Sequence, residues 1–335
     1  MKRTLRSPQR TDRYRKGYCM EYSEINRIFE ENDKFLILTH KSPDGDTLGS
    51  GFGLCYFLRD MGKLANVVNS DGFPDRYDFM YTEYKEQDFE PEYIIAVDIA
   101  DVSLMGSGLA KYQQAGMVDL CIDHHISNKH FAKLTHVEGQ TAAAAHILYK
   151  IFKESGRKLR DITAKCLYTG IATDTGCFKY ENTTPETHMA AAELMAYKID
   201  FANVNRKMFD VKSKGRLKVE QAVTGGMEYY LNDKCAMITI TTELMERCGA
   251  DPAEFDGLAS IPLSAEGVVL GITVKQRHSN VYKISVRTTE EMDASAFCGL
   301  FGGGGHIRAA GCEIKGTLEE VKAQLLEKAG QVLGI

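Results

Sequence analysis

Short apolar stretches alternate with helically periodic segments over the first two thirds of the chain. Apolar runs typical of strands cover residues 35–39, 65–69, 93–97 and 117–122. Helical patterns extend from about Thr47 to Met61 and over 141–155, 161–172 and 185–198. Because strands that alternate with helices form βαβ crossovers, the pattern predicts an α/β fold with a doubly wound, mostly parallel sheet.

The pattern changes after residue 198. Residues 199–230 carry alternating charge with few apolar positions, which predicts a helical connection. Beyond it, strands are predicted over 235–241, 267–275 and 281–288, and helices near 251–260, 293–300 and 317–333. With 335 residues, two domains are expected. We predict a basic, disordered extension over 1–20, a catalytic domain over 21–198, a linker over 199–230 and a smaller α/β domain over 231–335.

Composition narrows the class of protein. No apolar run approaches the roughly 20 residues that cross a bilayer, and no signal peptide is recognisable, so we expect a soluble, cytoplasmic protein without a membrane partner. Nine cysteines without a Cys-x-x-Cys pair argue against a disulfide framework and a thiolate zinc site. A net charge of −5 argues against binding long duplex nucleic acid, whereas short RNA and nucleotides remain candidate partners. A homodimer is a candidate assembly.

Candidate metal-binding side chains follow several of the predicted strands. They are His40, Asp44, Asp46, Asp98, Asp123, His124, His125 and Asp174. Ligands of open α/β sheets gather beyond the carboxyl ends of the strands, so these groups should converge. Each residue alone is explained by a helix cap or a turn. Their joint occurrence favours a centre for divalent cations, most of all Mn²⁺, with Mg²⁺ or Co²⁺ as alternatives, because the ligands are carboxylates and imidazoles.

Five motifs carry a family resemblance. HKSPDGD at 40–46, VDIAD at 97–101, DHH at 123–125 and TGIATDTG at 169–176 resemble the four-motif set of the DHH phosphoesterases. GGGGHIRAAG at 302–311 resembles the glycine-rich signature of the DHH-associated C-terminal domain. Within the family, the chain is most similar to two-domain members that degrade very short RNA and dephosphorylate adenosine 3′,5′-bisphosphate.

The resemblance implies two metal ions that share one bridging carboxylate. The first would be held by His40, Asp44 and Asp98, and the second by Asp46, Asp98, His124 and Asp174. Asp123 would orient a neighbouring histidine, and His125 would face the substrate. His125 could hydrogen-bond a phosphate oxygen or donate a proton to the leaving group, and the sequence leaves both roles open.

Candidate substrate-binding residues lie in the C-terminal part. Successive glycines bring backbone N–H groups close to an anion, so Gly303, Gly304, Gly305 and His306 are predicted to form an anion-binding nest at the start of a helix. Arg277 and Arg287, near the ends of two predicted strands, could each bind a phosphate bidentately. The resemblance favours Arg287.

The resemblance also implies the reaction. The expected function is metal-dependent 3′-to-5′ hydrolysis of oligoribonucleotides a few residues long, which releases nucleoside 5′-monophosphates, with adenosine 3′,5′-bisphosphate converted to AMP as a second activity. The active site would lie in a cleft between the domains. One alternative is hydrolysis of cyclic dinucleotides or their linear products. Another, of a different class, is a non-catalytic nucleotide-binding protein.

Overall fold

The computed structural model describes residues 19–250, 255 and 257–335. The chain forms two compact units that meet in sequence between Val211 and Lys212, inside the predicted connection. Most of the predicted basic extension lies outside the described residues, as do 251–254 and 256 of the predicted helix 251–260. Met20, which the prediction placed in the extension, is buried in the core of the first unit.

A five-stranded parallel sheet forms the centre of the first unit. Its strands are β1 (Phe35–Leu38), β2 (Ala65–Val68), β3 (Tyr93–Val97), β4 (Leu120–Asp123) and β5 (Leu134–Val137). Their order in the sheet is β2-β1-β3-β4-β5, and every neighbouring pair is parallel. The predicted parallel α/β sheet is therefore confirmed. The edge strand β5 was not predicted.

Helices cover one face of this sheet more fully than the other. They are α1 (Tyr22–Glu31), α2 (Gly45–Asp60), α3 (Asp78–Tyr81), α4 (Ala144–Glu154), α5 (Asp161–Asp174), α6 (Pro185–Met195) and α7 (Phe201–Asn205). The larger core joins the sheet to α1, α2, α4 and α5. A smaller core on the other face packs β1 and β3 against short 3₁₀ segments between β3 and β4. Burial on both faces explains why β1 is apolar throughout.

Close packing of α2 on α5 positions the candidate site. A Cβ atom on Gly49 would lie 2.5 Å from the carbonyl oxygen of Cys166, and one on Gly45 would lie 2.4 Å from Oγ1 of Thr173. Only glycine allows so close an approach of the two helices at these positions. The start of α2 is thereby fixed beside the end of α5.

The second unit is a smaller α/β unit with a mixed six-stranded sheet. Its strands are β6 (Glu228–Tyr230), β7 (Cys235–Ile240), β8 (Leu270–His278), β9 (Val281–Thr288), β10 (Gly304–His306) and β11 (Ala309–Lys315). Their order is β10-β11-β9-β8-β7-β6, and only β7 and β8 are parallel neighbours. Its helices are α8 (Lys214–Gly225), α9 (Thr242–Cys248), α10 (Ala294–Gly299) and α11 (Leu318–Leu333). Among the helices that the structure describes, none is both long and apolar enough to cross a bilayer.

The predicted helix start at the glycine-rich run was wrong. Residues Gly304–His306 form the edge strand β10, which pairs antiparallel with β11, Gly305 lying opposite Ala310. A Cβ atom on Gly303 would lie 2.3 Å from the carbonyl oxygen of Gly311, so glycine is required for close backbone packing in a hairpin. Glycines carry no side-chain periodicity, and the sequence therefore could not distinguish a strand from a loop here.

Candidate metal centre

The loop between β1 and α2 supplies two of the predicted groups. The Nδ1–H of His40 donates a hydrogen bond to the carbonyl oxygen of Lys41 at 2.8 Å. The other ring nitrogen, Nε2, therefore faces the carboxylates of Asp44 and Asp98, at 3.6 and 3.5 Å. Burial lowers the pKa of His40, but the interaction of the ring with these two carboxylates outweighs burial and raises the pKa to about 11.

Asp44 also begins helix α2. Its side chain accepts hydrogen bonds from the backbone N–H groups of Asp46 and Thr47, each at 3.0 Å. The helix consequently starts at Gly45, two residues before the predicted start. Partial desolvation opposes ionisation of Asp44, but the nearby His40 imidazole and the helix N–H groups that donate to the carboxylate keep its pKa below the usual range.

Asp46 is fully buried and connects two helices. Its Oδ2 accepts a hydrogen bond from the N–H of Ala144 at 2.7 Å, and its Oδ1 accepts one from Ala145 at 2.9 Å. Asp46 thereby caps the N-terminus of α4, where Ala143 offers no side-chain cap. Its Oδ2 also lies 3.9 Å from Nε2 of His124.

Asp98 follows β3 and lies between the two candidate imidazoles. Its Oδ2 lies 3.5 Å from Nε2 of His40, and its Oδ1 lies 3.5 Å from Nε2 of His124. Its φ angle of +58° is in the left-handed region, which is strained for a residue other than glycine. Burial, together with the neighbouring Asp46 carboxylate, raises the pKa of Asp98.

His124 is oriented by the segment that follows β5. Its Nδ1–H donates to the carbonyl oxygen of Thr141 at 3.2 Å. Its Nε2 therefore faces Asp98 and Asp174, the latter at 3.7 Å, in addition to Asp46. The hydroxyl of Thr141 donates to Glu138 at 2.6 Å, which holds this segment in place. Sequence reasoning did not identify Thr141, because it contributes through its backbone.

His125 and Asp123 form a separate pair beside these groups. The Nδ1–H of His125 donates to Oδ1 of Asp123 at 2.8 Å, and this hydrogen bond raises the pKa of His125 to about 9. The amide of Asn128 donates to Oδ2 of Asp123 at 2.6 Å. Asp123 is fully buried, whereas the His125 side chain is 45% exposed. Asn128 was missed, since a lone asparagine in a loop carries no distinguishing signal.

Asp174 is the last residue of α5. Burial and the carboxylates of Asp46 and Asp44 raise its pKa to about 8. Repulsion among these neighbouring acids, of which Asp46 is fully buried, makes the cluster unfavourable unless positive charge is brought into it. Asp174 lies opposite the start of α2 because glycines of α2 allow this helix to pack closely on α5.

The six predicted ligands form two groups that could each hold a cation. His40, Asp44 and Asp98 form one group of mutually close donor atoms, and Asp46, His124 and Asp174 form another. The imidazole-to-carboxylate separations of 3.5–3.9 Å are too long for good hydrogen bonds. They suit donor atoms that share an ion at about 2.0–2.2 Å from each. Oδ1 of Asp98 is buried without a hydrogen-bond partner, as expected of an atom reserved for a cation.

The candidate substrate-binding residues lie in the second unit, and the sheet register separates them. Arg287 lies opposite Ala309 of β11, close to the glycine hairpin. Arg277 lies at the other end of the β8–β9 hairpin, next to the pairing of His278 with Val281. Five to six strand residues separate the two positions, which corresponds to roughly 17–20 Å. The register therefore places the two arginines towards opposite ends of the β8–β9 pair.

Comparison with known proteins identifies the family. Residues 34–171 match the N-terminal domain of the DHH family, and residues 237–334 match the DHHA1 domain. The chain therefore belongs to the DHH family of phosphoesterases, which are metal-dependent, and the family predicted from the motifs is confirmed. It is 31% identical over 307 residues to the "Bifunctional oligoribonuclease and PAP phosphatase NrnA" of Thermus thermophilus, and the alignment covers 89% of each chain.

Two further similarities are informative. A crystal structure of an exopolyphosphatase-related protein from Bacteroides fragilis superposes with a TM-score of 0.81 at 28% identity, covering 94% of this chain and 97% of that one. The "Cyclic-di-AMP phosphodiesterase GdpP" of Geobacillus thermodenitrificans is 23% identical over 90% of this chain but only 48% of its own length. The first supports the fold of each of the two units. The second aligns with only part of a longer protein.

Proposed function

We propose that the chain is a hydrolase that uses two divalent metal ions, Mn²⁺ above all, to cleave phosphate esters. The first ion would be held by His40, Asp44 and Asp98, and the second by Asp46, Asp98, His124 and Asp174. The observation that carries this proposal is the unpartnered Oδ1 of buried Asp98 among these groups. When bound, such a pair of ions acidifies a water molecule and neutralises phosphoryl charge.

His125 is proposed to act on the substrate. Its hydrogen bond to Asp123 holds the ring with Nε2 free, and nearly half of the side chain is exposed. From that position the imidazole can donate a hydrogen bond to a phosphate oxygen or a proton to the departing hydroxyl. Asp123 and Asn128 would keep the ring in this orientation.

The proposed substrates are oligoribonucleotides of a few residues, cleaved from the 3′ end to nucleoside 5′-monophosphates, and adenosine 3′,5′-bisphosphate. The likeness to the Thermus thermophilus protein, over nearly the full length of both chains, supports this substrate class. A net charge of −5 also favours short substrates over long duplexes. Arg287 and the exposed residues Gly303–His306 are proposed to bind a second phosphate or the nucleoside.

Cyclic dinucleotides are the second candidate substrates. The similarity to the cyclic-di-AMP phosphodiesterase extends over 90% of this chain, so both units resemble parts of that protein. The candidate metal centre suits either substrate, because both contain phosphodiesters. The lower identity places this alternative second.

One comparative assay tests these proposals. A labelled RNA dinucleotide, adenosine 3′,5′-bisphosphate and cyclic di-AMP are each incubated with the Mn²⁺-loaded protein, with a chelator-treated sample and Asp174→Asn as controls. We expect turnover of the first two substrates, dependent on metal and on Asp174. Turnover of cyclic di-AMP alone would favour the alternative. Nucleotide binding that survives Asp98→Asn, with no turnover of any substrate, would instead indicate a non-catalytic binding protein.

A further inference from the structure

Another group of metal-ligating side chains lies at the edge strand β5 of the first unit. Donor atoms of Cys19, His136 and Glu138 all lie within 4.8 Å of one another. Sγ of Cys19 lies 3.7 Å from Nε2 of His136, and this nitrogen lies 2.9 Å from Oε1 of Glu138. His136 belongs to β5 and Glu138 directly follows that strand, whereas Cys19 precedes α1. None of the three residues is among the six ligands of the candidate metal centre.

The separations in this group are close to those around a tetrahedral zinc ion. Zinc binds a thiolate at about 2.3 Å and an imidazole or carboxylate at about 2.0–2.2 Å, so its tetrahedral ligand atoms lie roughly 3.3–3.6 Å apart. Oε1 of Glu138 and Nε2 of His136 would therefore have to separate by about half an ångström, and the sulfur would hardly move. His136 is fully buried and Cys19 is exposed, so an ion could enter from the side of the sulfur.

The surroundings of Glu138 suit a ligating carboxylate. Its Oε2 forms an ion pair with Lys150 and accepts a hydrogen bond from the hydroxyl of Thr141 at 2.6 Å. Its Oε1 accepts a hydrogen bond from the hydroxyl of Tyr22, also at 2.6 Å. Carboxylates that bind metals are commonly held in place by hydrogen bonds of this kind. An ion would replace the direct contact between His136 and Oε1, and the other three interactions could remain.

We propose that Cys19, His136 and Glu138 form a binding site for one Zn²⁺ ion. A set of one thiolate, one imidazole and one carboxylate favours Zn²⁺ over Mn²⁺, because the thiolate is a soft ligand. On binding, the Cys19 thiol gives its proton to the solvent, and His136 stays neutral with its proton on Nδ1. The ion joins the segment before α1 to the edge strand β5.

This site leaves no recognisable spacing in the sequence. Cys19 and His136 are 117 residues apart, and the site contains a single cysteine, so no Cys-x-x-Cys pair marks it. Its donor set also differs from that of the candidate metal centre, whose six ligands bind through nitrogen and oxygen atoms alone. A measurement that detects a metal–sulfur bond therefore distinguishes the two sites, even when both are occupied.

Cobalt substitution provides that measurement in the full chain. Co²⁺ replaces Zn²⁺ in tetrahedral sites, and a cobalt–thiolate bond gives a near-ultraviolet charge-transfer band that nitrogen and oxygen ligands do not give. The metal-free protein is titrated with Co²⁺ in the presence of a phosphine reductant. We expect the band to rise to a plateau and to disappear when excess Zn²⁺ is added. Excess Mn²⁺ should leave the band in place, because Mn²⁺ prefers oxygen ligands.

Substitutions identify which side chains hold the ion. Cys19→Ser should abolish the band, and His136→Gln should abolish it as well. Cys248→Ser is the matched control, because Cys248 is a partly exposed thiol of the second unit, and it should keep the full band. A wild type without the band, or a Cys19→Ser variant that retains it, overturns the proposal. A band that survives His136→Gln would also contradict the proposed site.

Protection of the thiol gives a second measurement that needs no substitution. The metal-free and Zn²⁺-loaded proteins are treated with iodoacetamide, and labelling of each cysteine is followed by mass spectrometry. Zn²⁺ should slow the labelling of Cys19 and leave that of Cys248 unchanged. Equal labelling of Cys19 with and without Zn²⁺ would show that its sulfur binds no ion.

Turnover is a separate readout, because the zinc site does not depend on the proposed function. Cys19→Ser should hydrolyse a labelled dinucleotide at the wild-type rate in Mn²⁺, since Cys19 contributes no donor to the candidate metal centre. A thiolate band in a protein without turnover would support the zinc site and refute the proposed function. Turnover in a protein without the band would refute the zinc site alone.

Discussion

Oδ1 of Asp98 lies 3.5 Å from Nε2 of His124 and, although buried, has no hydrogen-bond partner. A buried carboxylate oxygen without a donor lowers the stability of the folded state. The backbone of Asp98 is also strained, with a φ angle of +58°. A buried oxygen without a hydrogen-bond partner and a strained backbone occur together at Asp98. This combination indicates that the side chain is retained for binding rather than for stability.

Asp98→Asn should therefore separate stability from metal binding. Without added metal, we expect an unchanged or higher melting temperature, because the substitution removes a buried charge. The rise in melting temperature on adding Mn²⁺ should largely disappear. The rate of hydrolysis should fall by more than about 100-fold, which exceeds the loss typical of substituting a residue that only orients a metal ligand. Differential scanning calorimetry with and without Mn²⁺ measures the change in melting temperature.

Asp88→Asn, which substitutes an exposed acid, is the control. An intact Mn²⁺ response would contradict the assignment.

Gly49→Ala should weaken both the fold and the metal site. The added methyl group would lie 2.5 Å from the carbonyl oxygen of Cys166, a backbone atom that cannot rotate away. We expect a loss of about 1–3 kcal/mol in the free energy of unfolding and weaker Mn²⁺ binding, because α2 carries Asp46. Urea unfolding and calorimetric titration measure the two effects. Gly225→Ala adds a methyl group where nothing lies within 4 Å, so its stability should change by less than about 1 kcal/mol.

Asn128→Ala tests how His125 is positioned. Loss of the 2.6 Å hydrogen bond frees the Asp123 carboxylate that orients the ring. We expect kcat for a dinucleotide to fall by roughly 10–100-fold with little change in the Mn²⁺ response of the melting temperature. A purely structural role would instead lower the melting temperature at unchanged kcat. Asn128→Asp should not rescue kcat, since it places two carboxylates together.

The parallel sheet and the cluster of candidate ligands could be predicted because their signal is local. Apolar runs such as 35–38 end in acids or histidines, and parallel strands bring those ends to one edge. The contact of α2 with α5 was not predicted. It depends on the room left at Gly45 and Gly49, which only the three-dimensional packing reveals.

Other features could not be predicted because their cause lies elsewhere in the chain. The edge strand β5 contains the buried His136, so its sequence lacks the apolar character of the inner strands. Thr141 orients His124 through its backbone carbonyl group, and Asn128 orients Asp123 through a side-chain hydrogen bond. The glycine-rich run offered no side-chain pattern, and its pairing with β11 is set by contacts of the bare backbone.

Arg287→Lys tests the second unit's share in substrate binding. Lysine keeps the charge but loses the planar pair of donors that bind a phosphate bidentately. We expect the KM for a dinucleotide to rise by roughly tenfold, corresponding to about 1.4 kcal/mol, with kcat nearly unchanged. Arg277→Lys is the matched control, because Arg277 lies at the far end of the same strand pair. Equal effects of the two substitutions would remove Arg287 from the proposed binding surface.

His146 should make the stability of the first unit depend on pH. It is 4% exposed, and its Nδ1 has no hydrogen-bond partner. Burial, followed by the nearby Lys150 ammonium, lowers its pKa from 6.5 to about 4. The unfolded chain therefore binds a proton at a higher pH than the folded protein. Its contribution to stability is complete above pH 6.5 and declines as the pH falls towards 4, by up to about 3 kcal/mol.

Urea unfolding at several pH values, compared between variants, isolates this contribution. His146→Gln and His146→Leu both remove the titrating group, and both should flatten the slope of unfolding free energy between pH 6.5 and 4, whatever their absolute stabilities. His188→Gln, at an exposed histidine of the same unit, should retain the wild-type slope. Because the slope counts protons taken up on unfolding, it does not respond to packing losses at residue 146. Parallel wild-type and variant slopes would show that the buried imidazole does not titrate as its environment predicts.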